Sequence, residues 1–155
     1  MTPLFKKMNY KGQKSIVAIN APESFTSELE EMQKETKIVK NLNEINDITF
    51  AMVFATKQTE IDAFAKDIEQ KINGDVILWF CYPKGTSKKY KCDFNRDNGW
   101  KNLAQYNLEP VRQVAIDSDW SALRFRKVKY IKTITRKESH AHTDEAKKRT
   151  TQKGK

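Results

Sequence analysis

The segment from Asp47 to Tyr82 constrains the fold more than any other. It opens on DITFAMVFAT, where Ile48 to Ala55 is nearly continuous in apolar residues, and closes on DVILWFCY, an equally apolar run. Between them Ile61, Phe64, Ala65, Ile68 and Ile72 recur at the spacing of one helix face. Strands that lack in–out alternation are covered on both faces, as in parallel sheets, and a strand–helix–strand unit crosses over right-handed. The segment therefore predicts two parallel neighbours joined by a helix, with Thr56 as its N-cap and Asn73-Gly74 as a left-handed stop.

The flanking sequence extends this pattern. SIVAI, Ser15 to Ile19, follows the turn residues Lys11-Gly12-Gln13 and reads as a first buried strand. Asn20 with Glu23 makes a capping-box-like start for a helix to about Gln33, Ser24 being the competing cap; Phe25, Leu29 and Met32 share one face. KIVKNL, Lys37 to Leu42, reads as strand two. Downstream, Asn95 or Asp97 opens a third helix that carries Trp100, Leu103 and Ala104 and ends near Asn107. Pro110 bars helix continuation, and Val111 to Ile116 reads as strand five. After the turn DSDW, Leu123, Phe125 and Val128 alternate against Arg124, Arg126 and Lys127, as in a half-buried edge or hairpin strand. Periodicity fades near Arg136, so residues 1–136 read as a single α/β domain and residues 137–155 as a basic, disordered tail.

Strands alternating with helices predict a three-layer open sheet, mostly parallel. The DSDW link is too short for a crossover, so the last two strands should pair as an antiparallel hairpin. The predicted strand order is 2-1-3-4-6-5. A parallel sheet ending in such a hairpin resembles the Rossmann-like layout of methyltransferases.

The formal charge of +9 is unevenly spread. Met1 to Pro83 carries 10 basic and 12 acidic residues, Lys84 to Arg96 carries 5 against 1, and Val128 to Lys155 carries 9 against 3. The basicity lives in one loop and the tail. The longest apolar run, Val76 to Cys81, is far too short to span a bilayer, and no apolar stretch follows a charged start. The chain reads as cytoplasmic, with Cys81 and Cys92 reduced rather than paired. His140 and His142 both lie in the tail, so a zinc site has little to draw on, and no metal is assigned.

Ligands of open parallel sheets sit beyond the carboxyl ends of the strands at the topological switch. The loops arriving there are Asn20-Ala21-Pro22, Thr56-Lys57-Gln58 and Tyr82 to Lys91. Lys84, Thr86, Ser87, Lys88 and Lys89 offer ammonium and hydroxyl groups to a phosphate or carboxylate; the competing reading is a solvated, mobile loop. KGTSKK is not a Walker motif, because it lacks the first glycine and reverses the Gly-Lys-Ser/Thr order. Asp117 and Asp119, flanking a tight turn, form a second candidate with Trp120 and Arg124, in which Trp120 covers a pocket beside Arg124 and the acids pair with Arg124 or Arg112 for catalysis. The competing reading there is an Asp-based turn with a salt bridge to Arg124 or Arg112. Cys92, among Lys89, Lys91 and Arg96, is placed for a lowered pKa. Cys81, Trp79 and Trp100 read as core. The candidate ligand-binding set is thus Asn20, Thr56, Lys57, Lys84, Thr86, Ser87, Lys88, Asp117, Trp120 and Arg124. Its partner would be an anionic small molecule. The alternative is nucleic acid, held electrostatically by the basic loop and tail with Tyr82, Tyr90 and Tyr130 nearby. The sequence fixes neither a reaction, nor a cofactor, nor an oligomeric state.

Three stretches, LFKKMNYKGQKSIVAINAPESF, WFCYPKGTSKKYKCDFNRDNGW and VRQVAIDSDWSALRFRK, together resemble a family of bacterial proteins catalogued as a domain of unknown function. The resemblance spans Pro3 to Thr135. It implies a single Rossmann-like domain and carries over no catalytic residue. True adenosyl and dinucleotide binders place glycines in the first strand–helix turn, so that backbone can approach the ligand. Here the turn is NAPES, and Pro22 removes one N–H that a helix start would offer an anion. Adenosylmethionine and nicotinamide are therefore not expected.

Overall fold

The computed structural model describes residues 1–94 and 99–131. Its centre is a six-stranded sheet of order β2-β1-β3-β4-β6-β5. The strands are β1 (Ser15–Ile19), β2 (Lys37–Val39), β3 (Ile48–Phe54), β4 (Ile72–Pro83), β5 (Leu108–Ala115) and β6 (Trp120–Lys127). β2, β1, β3 and β4 run parallel, whereas β6 is antiparallel to both β4 and β5. Helices α1 (Pro3–Lys7) and α2 (Thr26–Gln33) lie against one face, and α3 (Gln58–Glu69) lies against the other.

The unbroken apolar runs follow from coverage on both sides. Along β3, Phe50, Met52 and Phe54 join the core under α1 and α2, with Ile16, Ala18, Trp79 and Cys81. Ala51, Val53 and Ala55 join the core under α3, with Leu78, Phe80, Leu123 and Phe125. Two separate cores thus sandwich the sheet, and every fully buried position of β3 is apolar, with Thr49 alone partly exposed.

The predicted strand order and the final hairpin are present, with Ala122 opposite Cys81 on one side and Val114 on the other. β6 is interior and β5 forms the edge, which explains why β6 is the more buried of the two. Other expectations need correction. Ile72 does not close α3; the helix ends at Glu69 and Ile72 opens β4 opposite Ile48. Gly74 is left-handed as expected (φ +81°), but it serves the irregular start of β4, where the register with β3 shifts. Neither Asn20 nor Ser24 caps a helix. Asn20 is left-handed (φ 57°), and a short 3₁₀ turn, Glu23–Phe25, leads into α2 without a side-chain cap. Strand two stops at Val39, and Leu42 begins a 3₁₀ turn. The third helix is a 3₁₀ helix, Lys101–Tyr106, ended by left-handed Asn107. Its expected starts, Asn95 and Asp97, and the tail from Arg136 lie outside the described residues.

Helix α1 was not foreseen. Thr2 Oγ1 accepts from Phe5 N (3.2 Å), Pro3 sits at the helix start, and Phe5 and Met8 are buried over the sheet. Trp79 Nε1 donates to Met8 O (3.0 Å) inside the core. Among the described residues, no helix is long and apolar enough to cross a membrane.

Candidate functional site

The basic loop begins where β4 ends. Lys84 N donates to Asp119 O (2.7 Å), and Ser87 N donates to Lys84 O (3.0 Å), so the chain turns back at once. Ser87 Oγ donates to Asp119 Oδ1 (2.8 Å) and accepts from Tyr90 N (3.1 Å). The Tyr90 ring packs on Trp120, with centroids 4.9 Å apart. Farther on, Asp93 N donates to Thr56 O (3.1 Å), and Asp93 Oδ1 accepts from Gln58 N (2.7 Å) at the start of α3. The loop is therefore fastened at its root, its middle and its far end. Tyr90 joins the core under α1 and α2, whereas Cys92 and Phe94 join the core under α3. The loop thus passes over the sheet's end from one face to the other.

Beneath it lies a cleft of about 1100 Å³. Lys84, Thr86, Ser87 and Lys91 line it from the loop, and Tyr82, Gln113 and Ser121 line it from the ends of β4, β5 and β6. Tyr90, Cys92, Asp93 and Phe94 complete the wall. Gln113 Nε2 donates to Tyr82 Oη (3.1 Å). Among the described residues, no carboxylate forms an ion pair with Lys84 or Lys91. The arrangement is a basic rim over a polar and aromatic floor.

The candidate residues divide accordingly. Lys84, Thr86 and Ser87 share the cleft, and Lys88 is exposed beside it. Asn20 lines a separate hollow of about 370 Å³ between the end of β1, α2 and Lys40. Thr56 and Lys57 are engaged by α3: Glu60 Oε1 accepts from Thr56 N (3.1 Å), Thr56 Oγ1 (3.3 Å) and Lys57 N (3.1 Å). Glu60 thus performs the capping expected of Thr56. Asp117 Oδ1 accepts from Asp119 N and Trp120 N, both at 2.8 Å, which is an Asp-based turn. Trp120 is buried against Phe54 and Tyr90. Arg124 lies on the sheet face opposite the cleft, level with Trp79. Gln113 and Ser121 were not among the sequence candidates. Nothing local marks them; only the antiparallel pairing of β6 with β4 sets Ser121 beside Tyr82.

The cysteines are not activated. Cys81 and Cys92 are free and pack on opposite faces of the sheet. Burial pushes the Cys81 thiol well up. Burial also raises Cys92, with Asp93 and Glu60 adding to the shift and a backbone hydrogen bond at Phe94 opposing it. The basic neighbours expected to lower it are outweighed: Lys89 and Lys91 are exposed, and Arg96 lies outside the described residues.

No family model matches the chain, and no curated protein matches it in sequence. Solved structures do match. A SAM-dependent methyltransferase from Aquifex aeolicus superposes over 80% of this chain and 87% of its own, with a TM-score of 0.52 at 11% identity. The fold is that of Rossmann-like methyltransferases. The N-methyltransferase NodS from Bradyrhizobium japonicum covers 74% of this chain and 85% of its own, with a TM-score of 0.47 at 12% identity, and adds no weight.

The fold family implies an adenosyl cofactor, and the residues after β1 do not fit one. The backbone there is left-handed at Asn20 (φ 57°), a position that carries a side chain instead of glycine. Pro22, without an N–H, stands as N-cap of a turn only as long as Glu23–Phe25. A backbone cradle for such a ligand needs free amides and no Cβ in its path.

Proposed function

We propose that this domain binds an anionic small molecule in the cleft under the basic loop. The observation that carries the reading is the convergence of Lys84, Lys91, Thr86 and Ser87 on one cleft whose floor is Tyr82, Gln113 and Ser121. The ammonium groups of Lys84 and Lys91, which form no ion pair among the described residues, and the Thr86 hydroxyl suit phosphate or carboxylate oxygens, and the amide and phenol of the floor suit the body of the ligand. A loop already fastened by Ser87, Tyr90 and Asp93 loses little freedom on binding, which favours affinity. The reading takes residues 1–136 as one domain of a cytoplasmic bacterial protein and assigns it no reaction.

The test is a thermal-shift screen of phosphorylated and carboxylated metabolites against the wild type and Lys84→Ala. Both proteins are also titrated with mixed duplex DNA at two salt concentrations. A metabolite that stabilises the wild type should lose its effect on Lys84→Ala. Submicromolar, salt-steep DNA binding with no metabolite shift would overturn the proposal.

A further inference from the structure

On the sheet face away from the cleft, Arg112 of β5 and Arg124 of β6 are direct cross-strand partners. Directly opposed positions of an antiparallel pair hold their Cβ atoms about 4.5–5.5 Å apart, where like charges repel. Neither guanidinium forms an ion pair among the described residues. Asp75 is engaged by Arg126, through Nε to Oδ1 (2.9 Å) and Nη2 to Oδ2 (2.5 Å). Glu109 lies opposite Arg126 and not opposite Arg112. Arg124 is half-buried, and its Nε is closed off from solvent with no hydrogen-bond partner among the described residues, so the donors it can turn toward a ligand are those at the outer end of the guanidinium.

We propose that Arg112 and Arg124 form a second anion site, separate from the cleft, that takes the dianionic phosphate group of a monoester or of free phosphate. Two guanidinium forks on paired strands can each offer two N–H donors to one group, and phosphate oxygens accept such donors bidentately. A phosphate monoester carries about −1.5 to −2 charges near pH 7, enough to offset both guanidiniums where one carboxylate would not. Burial, and then the charges of Arg126 and Arg112, push the Arg124 guanidinium below its ordinary pKa, with Asp75 opposing. A bound dianion would reverse that penalty. The proposal does not depend on the cleft.

The experiment is calorimetric titration of the full chain with inorganic phosphate, glycerol 3-phosphate and succinate. It starts from Lys84→Ala, which removes the cleft's ammonium. Phosphate binding should persist in that variant and weaken about tenfold or more when Arg112→Gln or Arg124→Gln is added, the expected loss of a bidentate charged contact. Arg112 is exposed on the edge strand, so its substitution leaves the core intact. Without phosphate, Arg112→Gln should raise the melting temperature by removing the repulsion. Equal heats with glycerol 3-phosphate and free phosphate would identify the shared phosphate group as the ligand, and a preference for either would identify the source. The proposal is overturned by phosphate binding that survives both arginine substitutions, by its absence from Lys84→Ala, by a preference for succinate, or by a lower melting temperature in Arg112→Gln. The cleft reading fails by a different result, metabolite binding unchanged in Lys84→Ala.

Discussion

Ser87 Oγ donates a 2.8 Å hydrogen bond to Asp119 Oδ1 across 32 residues of sequence, tying the basic loop to the β5–β6 turn. The same hydroxyl accepts from Tyr90 N, so one side chain holds both the turn and the onward path of the loop. Ser87→Ala removes both bonds. It should cost roughly 1–2 kcal/mol, a melting shift of a few degrees. Amide exchange should accelerate at residues 84–91 and not in β3. Unchanged exchange there would mean that the Tyr90–Trp120 contact alone fixes the loop.

Glu60 accepts from Thr56 and Lys57 and so starts α3. Glu60→Ala leaves those donors without their acceptor and should cost about 0.5–2 kcal/mol, whereas Glu60→Gln keeps an acceptor and most of the stability. Urea midpoints of the three proteins check the order wild type, Gln, Ala. Equal midpoints for Ala and wild type would show that water replaces the carboxylate at no cost.

Asp75 and Arg126 set an acid limb on stability. The Arg126 guanidinium, mainly by hydrogen bonding, holds the Asp75 carboxyl below the ordinary value of 3.8, burial opposing. The folded pKa therefore lies below the unfolded one. The stabilisation is fully present above the unfolded value and is lost as pH falls through the folded value. Asp75→Asn should be less stable than the wild type at pH 7, and the gap should close as pH drops below about 4. Melting temperatures at pH 7, 5, 4 and 3 measure it; a gap constant with pH would assign the loss to shape instead of charge.

Trp79 Nε1 holds Met8 O inside the core and so joins α1 to β4. Trp79→Phe keeps an aromatic ring but strands the carbonyl, at about 1–3 kcal/mol, with a further cost for the space vacated. Amide exchange at Met8 and Tyr10 should rise more than at β1. Protection retained at Tyr10, whose N–H bonds Phe5 O, would show that α1 docks through Phe5 and Met8 packing alone.

The layout was legible in the chain because its signals are local. An apolar run such as Ile48–Phe54 can be buried only on both faces, and Ile61, Ala65 and Ile68 can face a sheet only from a helix. The short link between Ile116 and Trp120 allows a hairpin and no crossover. The boundary errors have physical causes too. Ile72 continues the helical spacing, yet its pairing with Ile48 extends the sheet. Thr56 has the chemistry of a cap, but Glu60 reaches back with a charged acceptor and satisfies three donors at once.

The sequence by itself determined the covered parallel sheet, its closing hairpin and the placing of the basic loop at the end of β4, since periodicity, loop length and turn residues act over a few positions. Tertiary structure decided which polar groups meet. Gln113 and Ser121 reach the cleft through strand register, as Arg112 comes to face Arg124. Asn20 and Lys84, although both follow strand ends, open into different hollows. Register and the path of a loop over a sheet depend on how two cores pack against its faces, which is a property of the whole chain and of no short stretch of it.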